Sequence, residues 1–379
     1  MKIGFDAKRY FANYTGLGNY SRSLLENLVK YHPDNELLLY THHFDPEMAS
    51  RFPISESQVS IRTPGSLLGR VNSSIWRSFL LSHDLSSETP DIYHGLSHEI
   101  PMGVQKIKGL KTVVTIHDLI FLRYPEYYRP AERVIYTRKF RYSCQHADRI
   151  VAVSEQTKKD IIRYFQTPED KIETIYQSCD PSFQQIVPES QQQTVKTKYG
   201  LPNDFILYVG SFNERKNLIG LIDGLAMMNK SLDTPLVMIG SGKQYKSRVM
   251  EQIQRLGLDN RVMIRSDVPN EDLPAIYQSA KLFVYPSIFE GFGIPIIEAM
   301  SSRVPVITTQ GGCFTEAGGP TTCYVDPTNP EAIATAMEQI LTDSELTARM
   351  ISNGLKYIDR FHGKETSKQM IQLYQNLTA

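Results

Sequence analysis

The sequence predicts an α/β protein built on two open parallel sheets, each with helices on both faces. Two observations carry this. Short apolar runs alternate with amphipathic helical patterns from end to end, and 379 residues are too many for one ordinary core, which favours two domains of about 150–200 residues. The first set opens with a strand at Lys2–Phe5, turns at Thr15-Gly-Leu-Gly-Asn19, and enters a helix whose Tyr20, Leu24, Leu25 and Leu28 share one face. Further strands are expected at Glu36–Tyr40, Ile92–His94, Thr112–His117, Arg149–Val153 and Lys171–Ile175. A polar stretch without strand pattern, Gln185–Pro202, reads as the linker, so the first domain is placed at residues 1–190 and the second at 191–360. The second set has strands at Phe205–Gly210, Pro235–Gly240, Val262–Ile264, Leu282–Tyr285 and Val304–Ile307, with helices from Pro330 onward. Ligands of such open sheets bind beyond the carboxyl ends of the strands.

Composition narrows the function classes. Hydrophobic residues at 41% and charged residues at 22% suit a soluble globular enzyme, and the balance of 41 Lys plus Arg against 41 Asp plus Glu leaves no net field of the kind that gathers nucleic acid. Cys144, Cys179, Cys313 and Cys323 show no C-x-x-C spacing and read as reduced thiols of a cytoplasmic protein. Asp6, Lys8 and Arg9 interrupt any secretory signal, and no apolar run approaches the roughly 18–20 residues of a membrane span.

The densest chemistry lies in Ser287-Ile-Phe-Glu290-Gly-Phe-Gly-Ile-Pro-Ile-Ile-Glu298. Pro295 suits a first helical turn, so Gly291, Phe292 and Gly293 form a loop ending at Ile294, whose amides can meet an anion closely. Glu290 before the helix and Glu298 inside it are expected to stay ionised and to accept hydrogen bonds from hydroxyls. A carboxylate near a helix start is often only a dipole partner, but the whole run together points to a sugar attached to a diphosphate. A second segment, Tyr208-Val-Gly210-Ser-Phe-Asn-Glu-Arg215-Lys216-Asn217, places two cations after a strand tip. Such a pair is commonly solvated, yet here it sits where a phosphate would pass Gly210.

The first run resembles the E-x7-E signature of retaining nucleotide-sugar glycosyltransferases of family 4, which have the GT-B fold: two Rossmann-like domains facing across a cleft. The resemblance spans nearly the whole chain and is strongest from Phe205 to Ile307. It implies that Glu290 lies near the donor sugar hydroxyls, that Glu298 binds the ribose, that Gly291–Ile294 meet the diphosphate, and that Arg215 and Lys216 clamp it. It further implies that Gly16 and Gly18 face the donor phosphates, that His117 contacts the donor sugar, and that a last helix within residues 361–379 crosses back to the first domain. Ser211 stands where many members carry arginine, and Gln310–Glu316 departs from the usual run.

Other motifs carry less. Gly16-Leu-Gly18 lacks the third glycine and the acidic partner of a dinucleotide fingerprint and equally reads as a tight turn. Ser154 with Glu155 matches a recurrent family run, while His94 and His98 have weaker claims. Trp76, between Leu67-Leu68 and Phe79-Leu80-Leu81, reads as packing. Arg129, Arg133, Arg138, Lys139 and Arg141 form either a solvated helix face or a patch for an anionic lipid diphosphate or the inner leaflet, with Lys8 and Arg9 elsewhere in that domain. No D-x-D triplet occurs, so no metal site and no cofactor are expected.

The resulting expectation is a metal-independent, retaining transferase of a hexose, mannose from GDP-mannose first, to a glycan or lipid-linked saccharide in polysaccharide synthesis, cytoplasmic and touching the inner face of the membrane. Its catalytic residues are Glu290, His117, Lys216 and Arg215, and its donor-binding residues Gly16, Gly18, Gly210, Gly291, Phe292, Gly293, Ile294 and Glu298. UDP-sugar transfer, a sugar-nucleotide epimerase or dehydrogenase, and a noncatalytic sugar-nucleotide binder are the alternatives.

Overall fold

The computed structural model describes residues 1–13, 15–42, 44, 58–66, 72–242 and 244–379. The chain divides into two compact units, Met1–Cys179 with Phe361–Ala379, and Asp180–Arg360. The first holds seven parallel strands: β1 (Lys2–Asp6), β2 (Glu36–Tyr40), β3 (Val59–Arg62), β4 (Ile92–Gly95), β5 (Lys111–Ile116), β6 (Arg149–Ala152) and β7 (Ile172–Thr174). Their order is β3-β2-β1-β4-β5-β6-β7. The second holds β8 (Ile206–Val209), β9 (Leu236–Ile239), β10 (Val262–Arg265), β11 (Leu282–Tyr285), β12 (Val306–Thr309) and β13 (Cys323–Val325), ordered β10-β9-β8-β11-β12-β13. The central strands are almost wholly apolar because helices cover both faces of a parallel sheet. Each order reverses once, between β1 and β4 and between β8 and β11, and those switch points are where open sheets leave a crevice for ligands.

Two strands escaped the sequence reading. β3 and β13 lie at sheet edges and run only four and three residues, too short for a pattern. The last strand read as beginning at Val304 starts at Val306, because Pro305 lacks an N–H and only its carbonyl joins the ladder, accepting from Phe283 at 3.0 Å. Within the stretch read as linker, Glu189–Tyr199 is a helix in the second unit, packed on the helix Leu273–Ser279. Only Val195 and Tyr199 of it are buried, which explains the missing amphipathic signal.

In the first unit the sheet packs two apolar layers, one around Leu38, Trp76, Leu81, Val114 and Ile150, the other around Ile3, Phe5, Leu25, Leu37 and Val113. Trp76 is buried and donates its indole N–H to Asp84 at 2.7 Å, so it is a core residue, while Leu67 and Leu68 lie outside the described residues. The terminal helix Gly363–Thr378 packs against the helix Gly16–Tyr31. Its Tyr374 hydroxyl meets His94 Nδ1 at 2.6 Å, and His94 Nε2 meets Thr115 at 2.8 Å, which makes His94 part of the packing. All four cysteines are free thiols. No described helix is long and apolar enough to cross a membrane.

Candidate active site

In the second unit, the loops after β8 and β11 meet at the switch point. After β8 the chain makes a 3-10 turn, Glu214–Lys216, ended by Asn217 in the left-handed region and held there by its amide, which donates to the Pro327 carbonyl at 2.6 Å. Ile288 then donates its backbone N–H to the Arg215 carbonyl at 2.8 Å, stitching the two loops together.

This stitching converges four donors on one oxygen. Glu290 Oε1 accepts from Lys216 Nζ at 2.5 Å, from Arg215 at 2.6 Å, from Ser287 Oγ at 2.6 Å and from the Tyr285 hydroxyl at 3.1 Å. Lys216 also donates to the Tyr285 hydroxyl, and its ammonium stands 4.8 Å from the centre of that ring. Burial pulls the Glu290 carboxyl upward, but the charges of Arg215 and Lys216 outweigh it and hold the group at about 2. Lys216 feels the reverse balance. Burial drives its ammonium down to about 8 against the pull of Glu290, with Arg215 adding to the fall.

Two valences remain. Lys216 has three N–H donors, of which two are used here. Glu290 Oε2 receives no hydrogen bond among the described residues, so one carboxylate oxygen is anchored and the other is left to accept.

The glycine loop follows. Gly293 sits at φ 112° just before the helix Ile294–Ser301, and a Cβ there would meet Ile296 Cδ1 at 3.0 Å. Gly291, Phe292 and Gly293 are all buried. Cys313 donates its S–H to the Glu290 carbonyl at 3.1 Å, tying this loop to the helix Gly312–Gly318. Gly210 lies at the tip of β8 and donates to the Ile239 carbonyl at 2.9 Å.

Glu298 differs from expectation. It is buried on the helix Ile294–Ser301, and Tyr277 donates to its Oε2 at 3.0 Å. Burial raises its carboxyl to about 7 despite the tyrosine, and the Asp180 charge adds to the rise. The group therefore keeps its proton to much higher pH than an exposed carboxyl does. It sits past the first turn, where the helix dipole no longer offsets desolvation.

The remaining expected residues belong to the first unit. The helix there begins at Gly16, so Gly16 and Gly18 occupy its first turn. Gly18 donates its N–H to Asn13 Oδ1 at 3.2 Å, and a Cβ on it would fall 1.7 Å from the Asn13 carbonyl oxygen, so close packing requires glycine. His117, directly after β5, is buried, donates from Nε2 to the Leu96 carbonyl at 2.8 Å, and accepts at Nδ1 from Gln177 at 3.3 Å. Burial and then the neighbouring His98 and Arg9 keep it neutral, near 3. Ser154 is the cap of the helix Glu155–Phe165, accepting from the Thr157 N–H at 3.0 Å.

Sequence reasoning missed Tyr285, Ser287, Tyr277 and Cys313. Ser287 lies within the motif and Tyr285 ends a strand at the rim, a position that would have flagged it. Tyr277 comes from a helix distant in sequence and carried no signal.

Comparison with known proteins is consistent along the chain. Residues 14–183 match the model described as "Glycosyltransferase Family 4", and residues 191–357 the model "Glycosyl transferases group 1". O-antigen chain mannosyltransferase B of Escherichia coli is 30% identical over 392 residues, covering 100% of both chains. Sucrose-phosphate synthase from Thermosynechococcus elongatus superposes with a TM-score of 0.79 at 20% identity, covering 100% of this chain and 99% of that one. Anabaena HepE in complex with UDP-glucose gives a TM-score of 0.77 at 19% identity, covering 99% and 100%.

Proposed function

The chain belongs to the family 4 glycosyltransferases, with the GT-B architecture of two parallel sheets flanked by helices, and we propose that it transfers mannose from GDP-mannose to a glycan or lipid-linked saccharide hydroxyl, with retention of anomeric configuration. The observation that carries the reading is the anchored carboxylate: Glu290 Oε1 is saturated by Arg215, Lys216, Tyr285 and Ser287, while Oε2 is left to accept from sugar hydroxyls. A carboxylate so neutralised is a poor nucleophile and a good positioning group.

Charge explains the rest. As the glycosidic C–O bond breaks, negative charge grows on the diphosphate, which the third N–H of Lys216, the Arg215 charge and the amides of Gly291–Ile294 would stabilise beside Gly210. Arg215 and Lys216 together outweigh Glu290 and leave a net positive charge for the diphosphate beside the loop amides, so the reaction is proposed to be metal-independent. The acceptor attacks from the face of the departing phosphate, whose oxygen takes the acceptor proton. His117 would accept a donor-sugar hydroxyl at Nδ1 in place of the long Gln177 contact, Glu298 would take the ribose, and Gly16 and Gly18 would admit the phosphates.

The donor assignment draws on the Escherichia coli mannosyltransferase. A UDP-linked sugar is the second reading, favoured by the Anabaena protein of similar fold solved with UDP-glucose. The place of action is proposed to be the cytoplasmic face of the membrane. There the helix Pro130–His146 turns Val134, Ile135 and Arg138 to solvent, while Lys139 is held by Glu99 at 3.0 Å. Incubating the purified chain with GDP-mannose and lipid-linked saccharide in EDTA tests the reading, with the product linkage assigned by NMR. Retained configuration with GDP release supports it. An inverted product, transfer only after adding magnesium, or turnover of donor without acceptor contradicts it.

A further inference from the structure

The switch point of the first sheet, between β1 and β4, carries a second concentration of charge outside the network around Glu290. Lys8 and Arg9 follow β1, and Ser97, His98 and Glu99 follow β4. The two carboxylates in electrostatic reach of Lys8 are already engaged. Asp6 is paired with the buried Arg77, and Glu99 accepts from Lys139 at 3.0 Å. Among the described residues no carboxylate pairs with Lys8 or Arg9.

The surroundings are positive on balance. The Lys8 ammonium is pushed below its ordinary value by burial first, then by the charges of Arg77 and Arg9. Arg9 in turn acts on both His98 and His117. Among the described residues its Nε is buried without a hydrogen-bond partner, as is the hydroxyl of Ser97, a residue 4% exposed. His98 adds a directed donor. Its Nδ1 accepts the His117 backbone N–H at 3.3 Å and its ring stacks on Phe140 at 4.3 Å, so the proton of the neutral ring lies on Nε2. Half-buried cations and donors whose nearby carboxylates, Asp6 and Glu99, are engaged by Arg77 and Lys139 are costly to hold together, and a bound anion lowers that cost.

We infer that Lys8, Arg9 and the Nε2–H of His98 form a subsite for a phosphate ester, the one through which the saccharide acceptor is joined to its carrier. Two full charges with a planar fork and a third N–H match the several oxygens of a phosphate better than a single carboxylate. The occupant rests on the transferase reading, whereas the anion subsite rests on the local charge alone.

The test uses the full chain with saturating GDP to fill the donor site. Octyl diphosphate, inorganic phosphate and phosphatidylglycerol vesicles are titrated against the unaltered protein and the Lys8→Gln/Arg9→Gln variant. The expected result is a loss of octyl diphosphate affinity of about 10- to 100-fold in the variant, from two charge-assisted bonds. GDP affinity should be equal in both, and Arg9→Lys should recover part of the loss. Equal GDP affinity also shows that the variant is folded. Equal octyl diphosphate affinity in the two proteins overturns the subsite. Vesicles bound with the same sensitivity to the substitutions, or inorganic phosphate bound as tightly as the ester, overturn the assignment to an acceptor ester in favour of a lipid headgroup or a free anion. If the unaltered protein does not bind GDP, the donor reading fails instead, and the same anion comparison is made without GDP.

Discussion

At the scale of single residues, Glu298 and Glu290 show how one residue type is driven in opposite directions by its neighbours. Glu298 has one tyrosine donor and a nearby Asp180, so burial dominates and its carboxyl rises from 4.5 to about 7. The folded state thus holds this proton up to about pH 7 and the unfolded state only to 4.5. Stability therefore falls as pH rises through that window and stays lower above it, by about 3 kcal/mol at most. Glu298→Gln should raise the stability of the second unit at pH 8 and leave it nearly unchanged at pH 5, as read by urea unfolding at the two pH values. A stabilisation equal at both would contradict the assignment. Glu290, held at about 2 by two cations, works in the opposite sense, and its contribution is lost only as pH falls from 4.5 towards 2. Lys216→Ala should lower kcat by about 10²–10³, as for removal of a preorganised donor to developing charge. A rise in KM with kcat intact would assign Lys216 to ground-state binding instead. The residues themselves were legible in sequence, because Arg215, Lys216 and Glu290 stand in recognisable runs. Their pairing was not, since Lys216 and Glu290 are 74 positions apart and no local pattern encodes that Ile288 and Arg215 join the loops.

Among elements, the loop between β11 and the helix Ile294–Ser301 carries the most demanding backbone. Gly293 at φ 112° lies where an L side chain is strained, and Ile296 crowds the space a methyl would occupy. Gly293→Ala should cost about 1–2 kcal/mol of stability and weaken nucleotide binding, both measurable by thermal unfolding with and without GDP. Unchanged stability would show that the loop relaxes freely. Strand and helix positions in the interior were legible because buried parallel strands are continuous apolar runs. The edge strands β3 and β13 and the helix Glu189–Tyr199 were not, because short or half-exposed elements leave little periodicity.

For the whole molecule, the doubled alternation of apolar runs and amphipathic helices predicted two parallel sheets, and both form with one reversal of strand order each. Each unit brings its basic residues to such a reversal, Arg215 and Lys216 after β8, Lys8 and Arg9 after β1. On the proposed reading this divides the labour, the second unit supplying most of the contacts to the donor diphosphate and the first those to the acceptor's phosphate ester. Under that division a nucleotide sugar should stabilise the second unit selectively. At a ligand concentration of 100 times Kd the gain is about 2.7 kcal/mol.

The most direct measurement is a thermal-shift screen of nucleotide sugars against the unaltered chain, Lys216→Ala and Glu290→Gln. GDP-mannose should raise the unfolding temperature of the unaltered chain more than UDP-glucose or free GDP does. Lys216→Ala should reduce the shift from both the sugar nucleotide and GDP, whereas Glu290→Gln should erase only the excess due to the sugar. If no nucleotide sugar shifts the transition, or if both variants respond as the unaltered chain does, the network around Glu290 is not a donor site.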